Sequence, residues 1–189
     1  MAQLILIGIL VVTLAWAVMT YNSLVNLKHN VSKAWANIDV LLKQRHDELP
    51  KLIEVCKQYS QFERQTLENV MQARSAVFTA SQSRNMDALG PAENQLRQGL
   101  GQINAVAEAY PELKANDNFQ HLLSRITGLE NTIADRREFY NDSVNINNIR
   151  IEHFPDTLIA RLFGFMPFKL LKFSSAQTTD VDVAQLFKP

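Results

Sequence analysis

The stretch that decides the fold is residues 119–151, FQHLLSRITGLENTIADRREFYNDSVNINNIRI. Phe119, Leu122, Leu123, Ile126, Leu129, Ile133, Arg137, Tyr140, Val144, Asn147 and Ile151 recur at steps of mostly three or four residues. That spacing places them on one side of an α-helix, at 3.6 residues per turn. It is the longest uninterrupted pattern in the chain. Asn116-Asp117-Asn118 precedes it with short side-chain oxygens that can accept the first unpaired helix N–H groups. Pro155 closes it, because proline lacks the N–H that a continuing helix needs.

The same period extends toward the N-terminus. Leu24, Leu27, Val31, Trp35, Ile38 and Leu42 form one series, and Leu49, Ile53, Cys56, Tyr59, Leu67, Val70, Ala73 and Val77 continue it. Arg45 stands where the stripe calls for an apolar residue, and Pro50 follows. A proline inside a helix costs ~3 kcal/mol unless it lies in the first turn. A break or kink near residues 46–50 is therefore expected, with Asp47 or Glu48 starting a new helix. Residues 81–91 are a second punctuation, with Gly90-Pro91 the strongest breaker. Helical spacing returns at Leu96, Leu100, Ile103, Ala107 and Tyr110, and Pro111 ends or bends it. No segment alternates like a strand. The expected fold is all-α, with a long antiparallel four-helix bundle of coiled-coil-like stripes over residues 23–152.

Residues 1–22 read differently. Gln3 to Tyr21, QLILIGILVVTLAWAVMTY, carries no charge, and every charged side chain lies from Lys28 onward. At ~1.5 Å per residue the segment spans about 28 Å, close to the hydrocarbon thickness of a bilayer. A cleaved signal peptide would have a basic start and a small-x-small site beyond the apolar run, and neither is present. The segment is read as an uncleaved transmembrane anchor, with Trp16 and Tyr21 suited to the membrane interface. Lys28, Lys33, Lys43 and Arg45 follow it, so the basic flank places the bulk in the cytoplasm and the N-terminus outside.

Residues 153–189 form a third region. Phe154 to Phe173 holds five of the ten phenylalanines, with Arg161, Lys169 and Lys172 and only Asp156 acidic. Gly164 and Pro167 break it too often for a spanning helix. Two readings stand side by side: an interfacial segment on a bilayer surface, and an arm folded over the bundle. The interface candidates are Phe163, Phe165, Phe168, Lys169 and Lys172, besides Trp16 and Tyr21. The VDVAQLF near the end is a weak strand, a docking peptide or disordered.

Charge is balanced, with 19 basic and 19 acidic residues. That argues against nucleic acid as a partner, which calls for a basic excess on one face. One cysteine excludes an internal disulfide. The histidines His29, His46, His121 and His153 form no metal-ligand spacing, and no P-loop, GxGxxG or GxSxG occurs. The chain is read as no enzyme, with no catalytic, metal or cofactor residues. The candidate polar residues are Asp39, Arg45, Glu63, Arg74, Glu130 and Arg137. A buried charge needs a partner, so they are read as a structural network fixing helix register, as simply solvated side chains or, alternatively, as an ion or ligand site.

These residues carry a resemblance. Tyr21-Asn22-Ser23-Leu24-Val25, Ala34-Trp35-Ala36-Asn37-Ile38-Asp39-Val40 and Ala107-Glu108-Ala109-Tyr110-Pro111-Glu112-Leu113-Lys114-Ala115-Asn116 stand in the order found in the LemA family of bacterial membrane-anchored proteins. Leu49-Pro50, Ala73-Arg74, Glu130, Arg137, Tyr140-Asn141 and Phe154-Pro155 extend the match. Phe62, where members often have His, and Asn147-Asn148, where many have Tyr-Asn, depart from it. The resemblance implies an anchor, a helical-bundle body and no established enzymatic activity. It also implies frequent company with membrane metalloproteases of the HtpX type. The expected role is a scaffold at the bacterial inner membrane, with the lipid bilayer and further copies of itself as partners. The alternative is an adaptor or regulatory partner of such a membrane protease or of an envelope-stress sensor.

Overall fold

The computed structural model describes residues 1–59 and 63–172. Phe62, Phe173 and the VDVAQLF segment lie outside the described residues. The described residues form six helices in order: α1 (Ala2–Lys57), α2 (Arg64–Gln82), α3 (Met86–Glu108), α4 (Pro111–Lys114), α5 (Asp117–Glu152) and α6 (Asp156–Leu162). No strand occurs among the described residues. The all-helical expectation holds. By their internal contacts the described residues divide into two compact units, Met1–Arg45 with Ser124–Leu170, and His46–Leu123 with Leu171 and Lys172.

In the first unit, α1 and the C-terminal part of α5 pair in opposite directions. The Trp35 ring meets the Tyr140 ring edge-on at 5.9 Å. Ten residues later in α1 and ten earlier in α5, Arg45 meets Glu130. At the other end, Leu24 is fully buried in one cluster with Ile151, Ile159 and Ala160, against which Trp16, Ala17 and Phe165 pack. Both stripes read from the sequence are therefore buried along their length: Leu24, Val31, Trp35, Ile38 and Leu42 on one side, Ile126, Ile133, Tyr140, Val144, Asn147 and Ile151 on the other.

In the second unit, α2 and α3 form a hairpin. The turn is held by Arg84 N–H donating to Ser81 O and Asn85 N–H to Ala80 O, with Arg84 in the left-handed region at φ 48°. This pair of bonds satisfies the last carbonyls of α2, and the Asn85 side chain accepts from Ala88 N–H to start α3. The helices approach closely at Gly99, where an added Cβ would lie 2.6 Å from Val70 Cγ2.

The break expected near residues 46–50 is absent, and the one expected over residues 81–91 is present but falls before Gly90-Pro91. α1 runs through Pro50 without interruption to Lys57. Leu49, Leu52 and Cys56 are fully buried and Ile53 nearly so. Burial of such side chains stabilises by ~1.5–3 kcal/mol each, which outweighs the ~3 kcal/mol of one interior proline. The missing Pro50 N–H would leave the His46 carbonyl unpaired, and Arg74 Nε donates to that oxygen at 2.8 Å. Gly90 and Pro91 likewise lie inside α3, and the real turn is Ser83–Asn85. Gly90 has a separate reason: an added Cβ would sit 2.1 Å from the Lys172 carbonyl oxygen, so the chain at Lys172 lies directly on it. Pro111 opens α4 in its first turn, and Asn116 Oδ1 accepts from Phe119 N–H at 3.1 Å to cap α5 as expected.

Candidate functional site

The six candidate polar residues do not gather around one point. In the first unit, the Arg45 side chain is 2% exposed and its Nη1 lies 3.4 Å from Glu130 Oε1. Removing both charges from water is expensive, and the mutual attraction returns part of that cost. Asp39 and Arg137 are half-buried in the same unit. In the second unit, Arg74 is bound to His46 twice, through the carbonyl and through Nη2 at 2.7 Å from His46 Nε2. The Phe78 ring stacks on the imidazole at 4.5 Å. Burial first, then the Arg74 charge, holds the His46 pKa below its ordinary 6.5, although Asp47 pulls the other way. Burial also lowers that of Arg74. Glu63 is exposed at the start of α2, where its Oε2 accepts from Thr66 Oγ1 at 3.0 Å.

His46 was missed by sequence reasoning. The signal was present: it stands four residues before Pro50, the position whose carbonyl a helical proline leaves unpaired. Cys56 is fully buried, and burial pushes its thiol up to about 12. Among the described residues no group of three His, Cys, Asp or Glu could hold a metal ion. A groove of about 270 Å³ between α2 and α3 is lined by Asn69, Gln72, Gln95, Gln98 and Gln102, amides without a nucleophile or a base among them.

The interface candidates separate into two groups. α6 ends in a left-handed Gly164, φ 67°, with Phe165 N–H donating to Ala160 O and Gly164 N–H to Arg161 O. The chain then turns back along α5. Asn148 pairs with the Phe168 backbone twice, donating to its carbonyl and accepting from its N–H, each at 2.9 Å. The Tyr140 hydroxyl donates to Lys169 O at 3.0 Å. Phe165 and Phe168 are accordingly half-buried on their own chain, and the Lys169 side chain is exposed. Tyr21 packs on Phe163 and Phe165, with centroids at 4.7 and 5.9 Å. Trp16 is half-buried, Phe163 exposed and Lys172 exposed. Thr20 escaped the sequence reading, and Asp156 stood out there only as the one acidic residue of the Phe-rich segment. The buried Asp156 carboxylate is paired with Arg150 and accepts from Thr20 Oγ1 at 3.5 Å, which ties α6 to α1.

Among the described residues one helix, α1, is long and apolar enough to cross a membrane, and the apolar window within it is wholly unburied by them. The model of the LemA family matches residues 34–184. The chain belongs to the LemA family. Among curated relatives, magnetosome protein MamQ 2 of Paramagnetospirillum magneticum is 24% identical over 93% of this chain and 73% of its own length. MamQ of Magnetospirillum gryphiswaldense is 22% identical over 95% and 74%. Protein LemA of Metamycoplasma hominis is 25% identical over 87% and 74%. The LemA family motif Ala34–Val40 supplies the buried Trp35 and Ile38 of α1. Its motif Ala107–Asn116 supplies the α3–α4 corner, where Asn116 Nδ2 donates to the Tyr59 hydroxyl at 3.2 Å.

Proposed function

We propose that this LemA family member is a non-enzymatic scaffold, anchored by the apolar part of α1 in the bacterial inner membrane, whose long helices form an antiparallel four-helix bundle in the cytoplasm and self-associate. The observation that carries the reading is a stripe on the outer side of α5. Phe139, Ile146 and Ile149 are 54–65% exposed at seven- and three-residue spacing, the pattern of one more buried helix face. Such a run on a helix that already buries its other side calls for a further apolar surface. A second copy fits, because the chain has no net charge to repel its own kind. Lys28 and Lys33, exposed just after the apolar segment, support a cytoplasmic body. Arg45 does not add to that flank, since it is paired with Glu130. The relatives named magnetosome proteins are compatible with a structural part in a larger assembly.

The test is oxidation of an Ile146→Cys variant in native membranes. The buried Cys56 gives no background, because a buried thiol is inert. A twofold contact through this stripe brings the two introduced thiols together, so a dimer band is expected from Ile146→Cys and not from a Ser75→Cys control. Equal, random crosslinking of both would overturn the self-association.

A further inference from the structure

We propose that α6 and the turn after it form a second membrane contact, a foot that lies in the headgroup region of a phospholipid bilayer beside the exit of the anchor. The inference rests on the anchor reading above and adds a site to it. α6 has two apolar sides. Ile159 and Ala160 are buried against α1 and α5, whereas Leu158 and Leu162 project on the opposite side. Phe154, Leu158, Leu162, Phe163 and Met166 are 56–74% exposed. Of these, Phe163 meets the Tyr21 ring of α1 on one side.

Position decides what can cover them. Trp16 and Ala17, in the apolar stretch of α1, pack against the cluster that holds Ile159 and Ala160 of α6, and Asp156 is bonded to Thr20. With Tyr21 at the edge of the hydrocarbon, Trp16 lies about 7.5 Å deeper at ~1.5 Å per residue. That falls within the ~5–10 Å depth at which surface-lying apolar side chains enter a bilayer. If the anchor spans, α6 must occupy the same layer, because its contacts are to the anchor's last turns. The polar groups fit that layer too. The Asp156 carboxylate is enclosed by Arg150 and Thr20, and the exposed Arg161 side chain is of the length and charge to reach phosphate groups. Asn148 and Tyr140 hold the returning chain at Phe168 and Lys169. The foot is thereby fixed to the body, and the anchor would be held at a set depth and tilt.

The experiment places a polarity-sensitive fluorophore on single introduced cysteines in the full chain. The protein is reconstituted in vesicles of phosphatidylethanolamine and phosphatidylglycerol, with and without brominated acyl chains. Leu10→Cys reports on the anchor, Leu162→Cys on the foot and Ser75→Cys on the body. Loss of fluorescence with brominated lipid at both Leu10 and Leu162, and none at Ser75, is the expected result. Loss at Leu10 alone would overturn the foot and leave the anchor standing. Loss at neither position would overturn both. Leu158→Cys is a second reporter of the foot that should follow Leu162→Cys, and a water-exposed signal from it would likewise overturn the proposal.

Discussion

At the residue scale, Arg74 answers a defect that Pro50 creates. The His46 carbonyl has no helical donor, and the guanidinium supplies one. Leaving a buried acceptor unpaired costs ~1–3 kcal/mol, so Arg74→Ala should lower unfolding stability by about that amount. Pro50→Ala returns the N–H, so the same Arg74→Ala change should cost less in a Pro50→Ala background. A double-mutant cycle by chemical denaturation measures the difference, and strict additivity would break the link. His46 adds a pH dependence. Its folded pKa lies below the ordinary 6.5 because burial and Arg74 disfavour the imidazolium. The unfolded chain therefore takes up a proton first as pH falls. The stability from the neutral ring is complete above 6.5 and declines as pH drops from there toward the lowered folded pKa. His46→Gln should flatten that part of the stability-versus-pH curve. Cys56 should resist maleimide in the folded protein and react only on unfolding, as a buried thiol with a pKa near 12 requires.

At the scale of elements, the helices were legible and their ends were not. The stripes of α1 and α5 were complete in the sequence because burial follows the 3.6 period directly. Pro50 and Gly90-Pro91 misled, because local propensity was outweighed by long-range contacts that a linear reading cannot see: Arg74 on one, Lys172 on the other. Arg45 could be recognised as an interruption, but its partner Glu130 depends on the register of α5 against α1. The glycines give a matched test. Gly101 sits in α3 with nothing within 4 Å of an added Cβ, so Gly101→Ala should stabilise by ~0.5–1 kcal/mol through helix propensity. Gly90→Ala gains the same propensity but collides with the Lys172 carbonyl. It should lower the thermal midpoint and open the chain near Lys172 to proteolysis. A rise in the midpoint for both variants would show that the Lys172 contact constrains nothing.

At the scale of the whole molecule, charge is informative by where it is missing. The balanced total conceals an uncharged apolar segment in α1 and a charged helical body. Outside that apolar segment, the α5 stripe and the outer side of α6 are exposed apolar surfaces among the described residues. The sequence showed the tail's basic and aromatic character but left open whether it meets lipid or the bundle. The structure divides it. Phe165 and Phe168 turn inward, held through the backbone by Asn148, and Leu158, Leu162 and Met166 stay outside. The apolar periodicity of α5 was read as one stripe, and the second stripe at Phe139, Ile146 and Ile149 was overlooked because it is shorter and interleaved with Asp142 and Asn145. A scaffold of the proposed kind self-associates in the membrane. The most direct measurement is the mass of the full chain extracted in native lipid particles, beside an Ile146→Glu variant of unchanged helicity. A multiple of the 21.5 kDa chain is expected for the native protein, and a shift to a single copy for the variant. A native protein that is strictly monomeric in lipid would contradict self-association.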